Sequence, residues 1–218
     1  LVVAAVALAY FLCAAGAIAF TRLNGNVALL WIANGPLIAA LLTRPAAERP
    51  LHIAGCFAAS VTASVLVSPY TVLAPMFAVA NVGEALLAWT LLRRFGADAR
   101  MLLSLRALAA FVAAAGVIAP LIVGIMPAAI MVLYQGGDPW LIWMSWGIGH
   151  GLGVLIATPI ALLVMAGRHY RSRNVTPGAK QRFAAVTAVL VAVTAICFAQ
   201  MRLPLLFGPI LPLIAATM

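Results

Sequence analysis

The sequence predicts an all-α fold, a polytopic membrane helix bundle of about eight transmembrane helices with both termini cytoplasmic. Composition is the first reason. The chain is 66% hydrophobic and 8% charged, with a mean hydropathy of +1.16, whereas a soluble domain carries about 25% charge. No soluble fold of 218 residues hides that much apolar surface, so the bilayer is the solvent. The texture of the apolar runs is the second reason. They are continuous and rich in Ala and Leu rather than alternating, which selects helices over a barrel. Backbone groups in lipid must bond internally, and helices do so.

Eight apolar segments follow one another, at roughly 1–20, 27–43, 51–68, 71–92, 107–134, 139–166, 183–201 and 203–218. Pro69 separates the third from the fourth. Gly136-Gly137-Asp138-Pro139 marks a turn between the fifth and sixth. Pro120 and Pro127 interrupt the fifth, which predicts a kinked or partly re-entrant segment. The loop charges set the topology. Arg44 and Arg49 follow segment two, Arg93, Arg94, Arg100 and Arg106 follow segment four, and Arg168, Arg171, Arg173, Lys180 and Arg182 follow segment six. Only Arg22 and Arg202 lie in the alternate loops. The positive-inside rule makes the even-numbered loops cytoplasmic. Splitting segment five into two spans would place the last basic cluster outside. The same rule explains the net charge of +9, so no nucleic-acid partner is expected.

Leu1 is not an initiator methionine, and the chain opens inside an apolar run. The last run, Leu203 to Met218, has 16 residues, and a span needs about 20. The expectation is a membrane module truncated at both ends. Cys13, Cys56 and Cys197 stand singly inside apolar runs and read as small hydrophobes. No metal spacing, phosphate loop or nucleophile elbow is present. Short loops leave no room for a catalytic domain, so no enzymatic activity is expected of this chain. A bis-histidine haem would need ligands matched in depth, which His52 and His150 are not. No cofactor is expected.

The chemistry lies in polar residues at mid-depth. Glu84 sits inside the run Ala74 to Leu92, where a carboxylate costs roughly 2.5–3.5 kcal/mol on insertion scales unless partnered. Asn81, three residues before it, shares its face, and Phe77, Ala80 and Ala88 continue the stripe. Asn34 stands beside a helix breaker in Trp31-Ile32-Ala33-Asn34-Gly35-Pro36. Pro36 removes a backbone donor and leaves the Ile32 carbonyl without its helical partner. Two readings stay open there: a plain proline kink, or an unwound turn offering backbone groups and the Asn34 amide to a ligand. In segment six, His150 shares a face with Trp146 and Trp143. Trp140 and Trp143 also suit the outer aromatic belt. Gly147, Gly149, Gly151 and Gly153 form two overlapping Gly-x-x-x-Gly pairs, 147/151 and 149/153, on different sides of one helix, which is the pattern of close helix packing. Asn34, Asn81, Glu84, Trp143, Trp146 and His150 are therefore the ligand-binding or switch candidates. A Glu84–His150 pair requires that segments four and six touch. Plain structural hydrogen bonds between helices are the competing reading.

Four stretches, in order, carry a family resemblance. They are Trp31-Ile32-Ala33-Asn34-Gly35 with Arg49-Pro50, Asn81-Val82-Gly83-Glu84-Ala85-Leu86-Leu87-Ala88 ending Leu91-Leu92-Arg93-Arg94-Phe95, Gly149-His150-Gly151-Leu152-Gly153-Val154-Leu155 to Thr158-Pro159, and Pro204-Leu205-Leu206-Phe207 to Leu211-Pro212. Together the chain resembles the first type of the membrane-associated sensor domains, the MASE family. The resemblance implies that residues 1–218 form one integral membrane sensory domain in the bacterial inner membrane, with a cytoplasmic output domain beyond 218. That output is a histidine kinase or a diguanylate cyclase, belonging to two-component or cyclic-di-GMP signalling, and a homodimer through it is the expected assembly. The family's usual aspartate in the segment-six motif is His150 here. This replaces an acid with a group of reference pKa about 6.5 and casts doubt on any cation or proton role inferred for the aspartate.

Three functions compete. In the first, a sensor, a small ligand, a proton or a membrane protein biases bundle packing. The alternative is a small-solute transporter or the substrate-binding subunit of an energy-coupling-factor importer, against which the absence of visible repeats counts. The third is a dimerising scaffold, in which the segment-six glycines only pack.

Overall fold

The computed structural model describes residues 1–21, 28, 30–98 and 104–170, and its described elements are helices. The expected segments at 183–201 and 203–218, with Arg22, Arg100 and the basic cluster from Arg171 onward, lie outside the described residues. Among the described residues five helical stretches are long and apolar enough to cross a membrane, and a sixth apolar helix is short.

Helix α1 (Val2–Thr21) carries no charge. Its buried residues Val6, Tyr10, Ala14 and Ala17 recur at helical spacing and make one face. That face packs on α3 (Arg49–Val67). A Cβ added at Gly55 of α3 would lie 3.3 Å from the Ala7 Cβ, so glycine sets the separation of the two helices. Leu8 and Leu12, on other faces of α1, are exposed and suit contact with lipid.

Helix α2 (Asn34–Thr43) has ten residues and so rises about 15 Å, half of a hydrocarbon core of about 30 Å. The expected segment at 27–43 is thus corrected. Residues 30–32 are non-helical, a turn leads through Ala33, and helix begins at Asn34. The physical reason is twofold. The Trp31 N–H donates to the Gly149 carbonyl, 3.1 Å, instead of to its own chain. Pro36 then falls in the first turn of α2, where its missing N–H costs nothing. The Ile32 carbonyl accepts the Gly35 N–H at 3.2 Å.

Helix α4 (Ala74–Arg94) is the centre of the bundle, touching α2, α3 and the segments that follow it. Pro75 lies in its first turn, and Arg93 and Arg94 lie in its last, facing the negative end of the helix dipole. Its buried residues are mostly alanines around Asn81 and Glu84.

The fifth apolar segment is one continuous pass from Leu105 to Gln135. It consists of α5 (Leu105–Phe111), a π-helical stretch (Val112–Ile118), α6 (Ala119–Val123) and α7 (Ile125–Gln135), the last two separated at Gly124. Pro120 has no N–H for the Gly116 carbonyl four residues back, and the π winding just before it is the local adjustment. Gly136 and Gly137, at φ 77° and 111°, adopt the left-handed backbone that glycine allows and reverse the chain. Helix α8 (Pro139–Tyr170) then returns, with Pro159 inside it and a non-helical Ala166.

Helix directions place two groups of residues at opposite ends. Arg49 opens α3, and Arg93 and Arg94 close α4. Tyr70, Tyr134, Trp140 and Trp143 lie at the other end, where Tyr70 meets Tyr134 edge-on and Trp140 meets Trp143 at 5.0 Å.

Candidate functional site

Helix α8 is grooved by glycine on two sides. A Cβ at Gly151 would lie 2.1 Å from the Gly116 carbonyl oxygen, which Pro120 has released, and one at Gly147 would lie 2.7 Å from the Leu121 side chain. That side receives the π stretch and α6. A Cβ at Gly153 would lie 2.1 Å from the Trp31 carbonyl oxygen, and one at Gly35 would lie 2.5 Å from the Ala157 Cβ. That side receives the segment leading into α2. Only glycine permits backbones this close. The second groove holds α2 and α8 in contact, with Asn34 at the first turn of α2 and His150 among the glycines of α8.

Asn34, Glu84 and His150 meet in this space, with exposures of 0%, 1% and 2%. Glu84 Oε1 accepts the Asn34 amide N–H at 2.8 Å. Glu84 Oε2 accepts the Trp146 indole N–H at 3.0 Å. His150 Nδ1 lies 2.9 Å from the same oxygen. The imidazole N–H is not aimed along that line, so the contact is a close approach rather than an aligned hydrogen bond. The Asn34 carbonyl oxygen in turn accepts the Tyr10 hydroxyl at 3.0 Å and the Trp31 indole N–H at 3.4 Å. One carboxylate therefore joins α2, α4 and α8, and Tyr10 adds α1.

Two indoles stack with the imidazole. Trp146 stacks on it at 3.8 Å and 22°, and Trp31 at 5.4 Å and 8°. Phe77 continues the stack beyond, 6.2 Å from Trp146. Aromatic faces are electron-rich and attract a cation.

Two of the six candidates stand apart. Asn81 shares the α4 face of Glu84 but bonds elsewhere, donating from Nδ2 to the Ser60 hydroxyl at 3.2 Å, while its Oδ1 has no partner among the described residues. Trp143 donates to the Leu121 carbonyl at 2.7 Å, near the end of α6, where helical carbonyls have lost their partners. It belongs to the α6–α8 contact. Tyr10, Ser60 and the side chain of Trp31 also belong to this region, and sequence reasoning did not single them out as site residues. The available signal was a polar atom inside an apolar run, which Tyr10 and Ser60 both carry.

The MASE1 family model matches residues 2–218. No curated protein and no solved structure matches. The chain belongs to the MASE1 family of membrane-integral sensor domains, multi-pass in the bacterial inner membrane.

Proposed function

We propose that this MASE1 domain senses by shifting between two packings of its bundle, and that the Asn34–Glu84–His150 junction is the element whose making and breaking distinguishes them. One observation carries the reading: a single buried carboxylate receives groups from two other helices. A stimulus that favours one arrangement of donors around Glu84 moves α2, α4 and α8 relative to each other. Buried polar groups are costly when unpaired, so intermediate arrangements are disfavoured and the element has two states rather than a continuum.

The even-numbered loops and both termini face the cytoplasm in this proposal, following the arginine placement. The final span passes the shift to a cytoplasmic histidine kinase or diguanylate cyclase. The test is the output of the full-length native polypeptide, as autophosphorylation or cyclic-di-GMP production, at matched membrane abundance. Glu84→Gln and His150→Ala are expected to lock or abolish the response. Normal output from both variants would remove the junction from the mechanism.

A further inference from the structure

A cleft of about 40 Å³ lies beside the junction, lined by Trp31, Ser64, Phe77, Asn81, Trp146 and His150 among others. Its position follows from the helix directions. It involves the last turns of α3 and the first turns of α4 and α8, at the end of the bundle opposite Arg49, Arg93 and Arg94. Ser60, Ser64 and Ser68 are four residues apart and so form one stripe along α3 and its end. The stripe leads from Ser68, which also lines the cleft, down to the Asn81–Ser60 hydrogen bond.

The lining has a definite chemistry. Asn81 is 2% exposed, and its Oδ1 acceptor has no partner among the described residues. Phe77, Trp31 and Trp146 contribute aromatic walls, which attract cations. Among the described residues, no Lys or Arg lines the cleft to hold an anion. An apolar occupant would leave the Asn81 oxygen unsatisfied. A cationic N–H donor satisfies both the oxygen and the walls, and serine hydroxyls accept its remaining hydrogens.

We propose that this cleft is a binding site for a small protonated amine, entering from the end of the bundle opposite the arginines. The ammonium donates to Asn81 Oδ1 and Ser64, and its carbon substituents lie against Phe77 and Trp31. Such a ligand sits next to His150 and Trp146, the two α8 groups that meet Glu84. The proposal rests on the sensor reading above and supplies its ligand class.

The test uses the 218-residue chain in lipid nanodiscs, titrated with ethylammonium chloride, with potassium chloride and sodium acetate as controls at equal ionic strength. The readouts are tryptophan fluorescence and melting temperature. Ethylammonium is expected to give a saturable change in both, weakened at least tenfold by Asn81→Leu and by Ser64→Leu and retained in Trp140→Phe. Ser64→Leu carries the test where Asn81→Leu does not fold. No saturation, an equal response to acetate or potassium, or an unchanged response in the folded variants overturns the amine site. If ethylammonium fails while Glu84→Gln still changes output, the amine site falls and the junction stands. If ethylammonium saturates while Glu84→Gln leaves output normal, the junction falls and the site stands.

Discussion

Two Glu–His pairs occur among the described residues, and they do different things with the same chemistry. Glu48 and His52 lie four apart at the start of α3, with His52 Nε2 3.7 Å from Glu48 Oε2 and the Glu48 side chain 36% exposed. The same oxygen also takes Arg44 at 3.2 Å. This pair ties one turn of the chain to its neighbours in sequence. Glu84 and His150 lie on different helices at 2.9 Å, each almost without exposure. Both Glu84 oxygens are occupied by groups from α2 and α8. Desolvation and connectivity, not residue type, separate the pairs. Water reaches the Glu48 carboxylate although His52 is buried, whereas Glu84 has no substitute for any partner it loses.

The comparison breaks most sharply at Glu84. Glu84→Ala leaves the Asn34 amide and the Trp146 indole N–H without acceptors and His150 without its carboxylate. We predict a loss of about 3–5 kcal/mol, the range for removing one partner of a buried pair, read as thermal unfolding in nanodiscs. A loss below about 1 kcal/mol would place the pair in the surface class.

The groove that brings α2 to α8 comes next. Gly153→Leu drives a side chain into the Trp31 carbonyl, and we predict a cost of about 1–3 kcal/mol or more from overpacking. Gly83→Ala is its control, because nothing lies within 4 Å of a Cβ there. A change within about 0.5 kcal/mol is expected for it, as for an open position. Equal melting temperatures for the two variants would contradict the close backbone approach.

Smaller still is Tyr10→Phe, which removes one hydroxyl donor from Asn34 and keeps the ring. The expected loss is about 0.5–1.5 kcal/mol, and it should shrink when Asn34→Ala is already present. Additive losses in that double-mutant cycle would show that the Tyr10 bond stands outside the network. The smallest effect belongs to the other pair. Glu48→Gln should cost about 0–1 kcal/mol, and that loss should fall with added salt, as for a half-exposed ion pair.

Much of the architecture is legible in the sequence. Apolar runs locate α1, α3, α4, the 105–135 pass and α8, and Gly136-Gly137 marks the reversal between the last two. Asn34, Glu84 and His150 stand out because a polar group in an apolar run is expensive, and that reasoning needs no partner to be known. The partners themselves are another matter. The non-helical stretch before Asn34 is one of the two readings Pro36 leaves open, and the sequence does not choose between them because an apolar run reads as helix until another element competes for its N–H groups. That competitor, the Gly149 carbonyl, is far away in sequence. Tyr10 is missed because a tyrosine within apolar residues reads as a hydrophobe. Asn81 shows the converse limit. Helical spacing put it on the Glu84 face correctly, but a shared face does not fix a shared partner, and it turned to Ser60.

The hydrogen bond from the Trp31 N–H to the Gly149 carbonyl also bears on biogenesis. The ribosome delivers the start of α2 long before it delivers α8. During that interval the backbone around Trp31 has no acceptor within the hydrocarbon, and a ten-residue helix is too short to be left across the bilayer as an independent unit. The nascent chain must keep this segment at the interface or within the insertion machinery until α8 arrives. Seating of the start of α2 therefore requires α8 to be present.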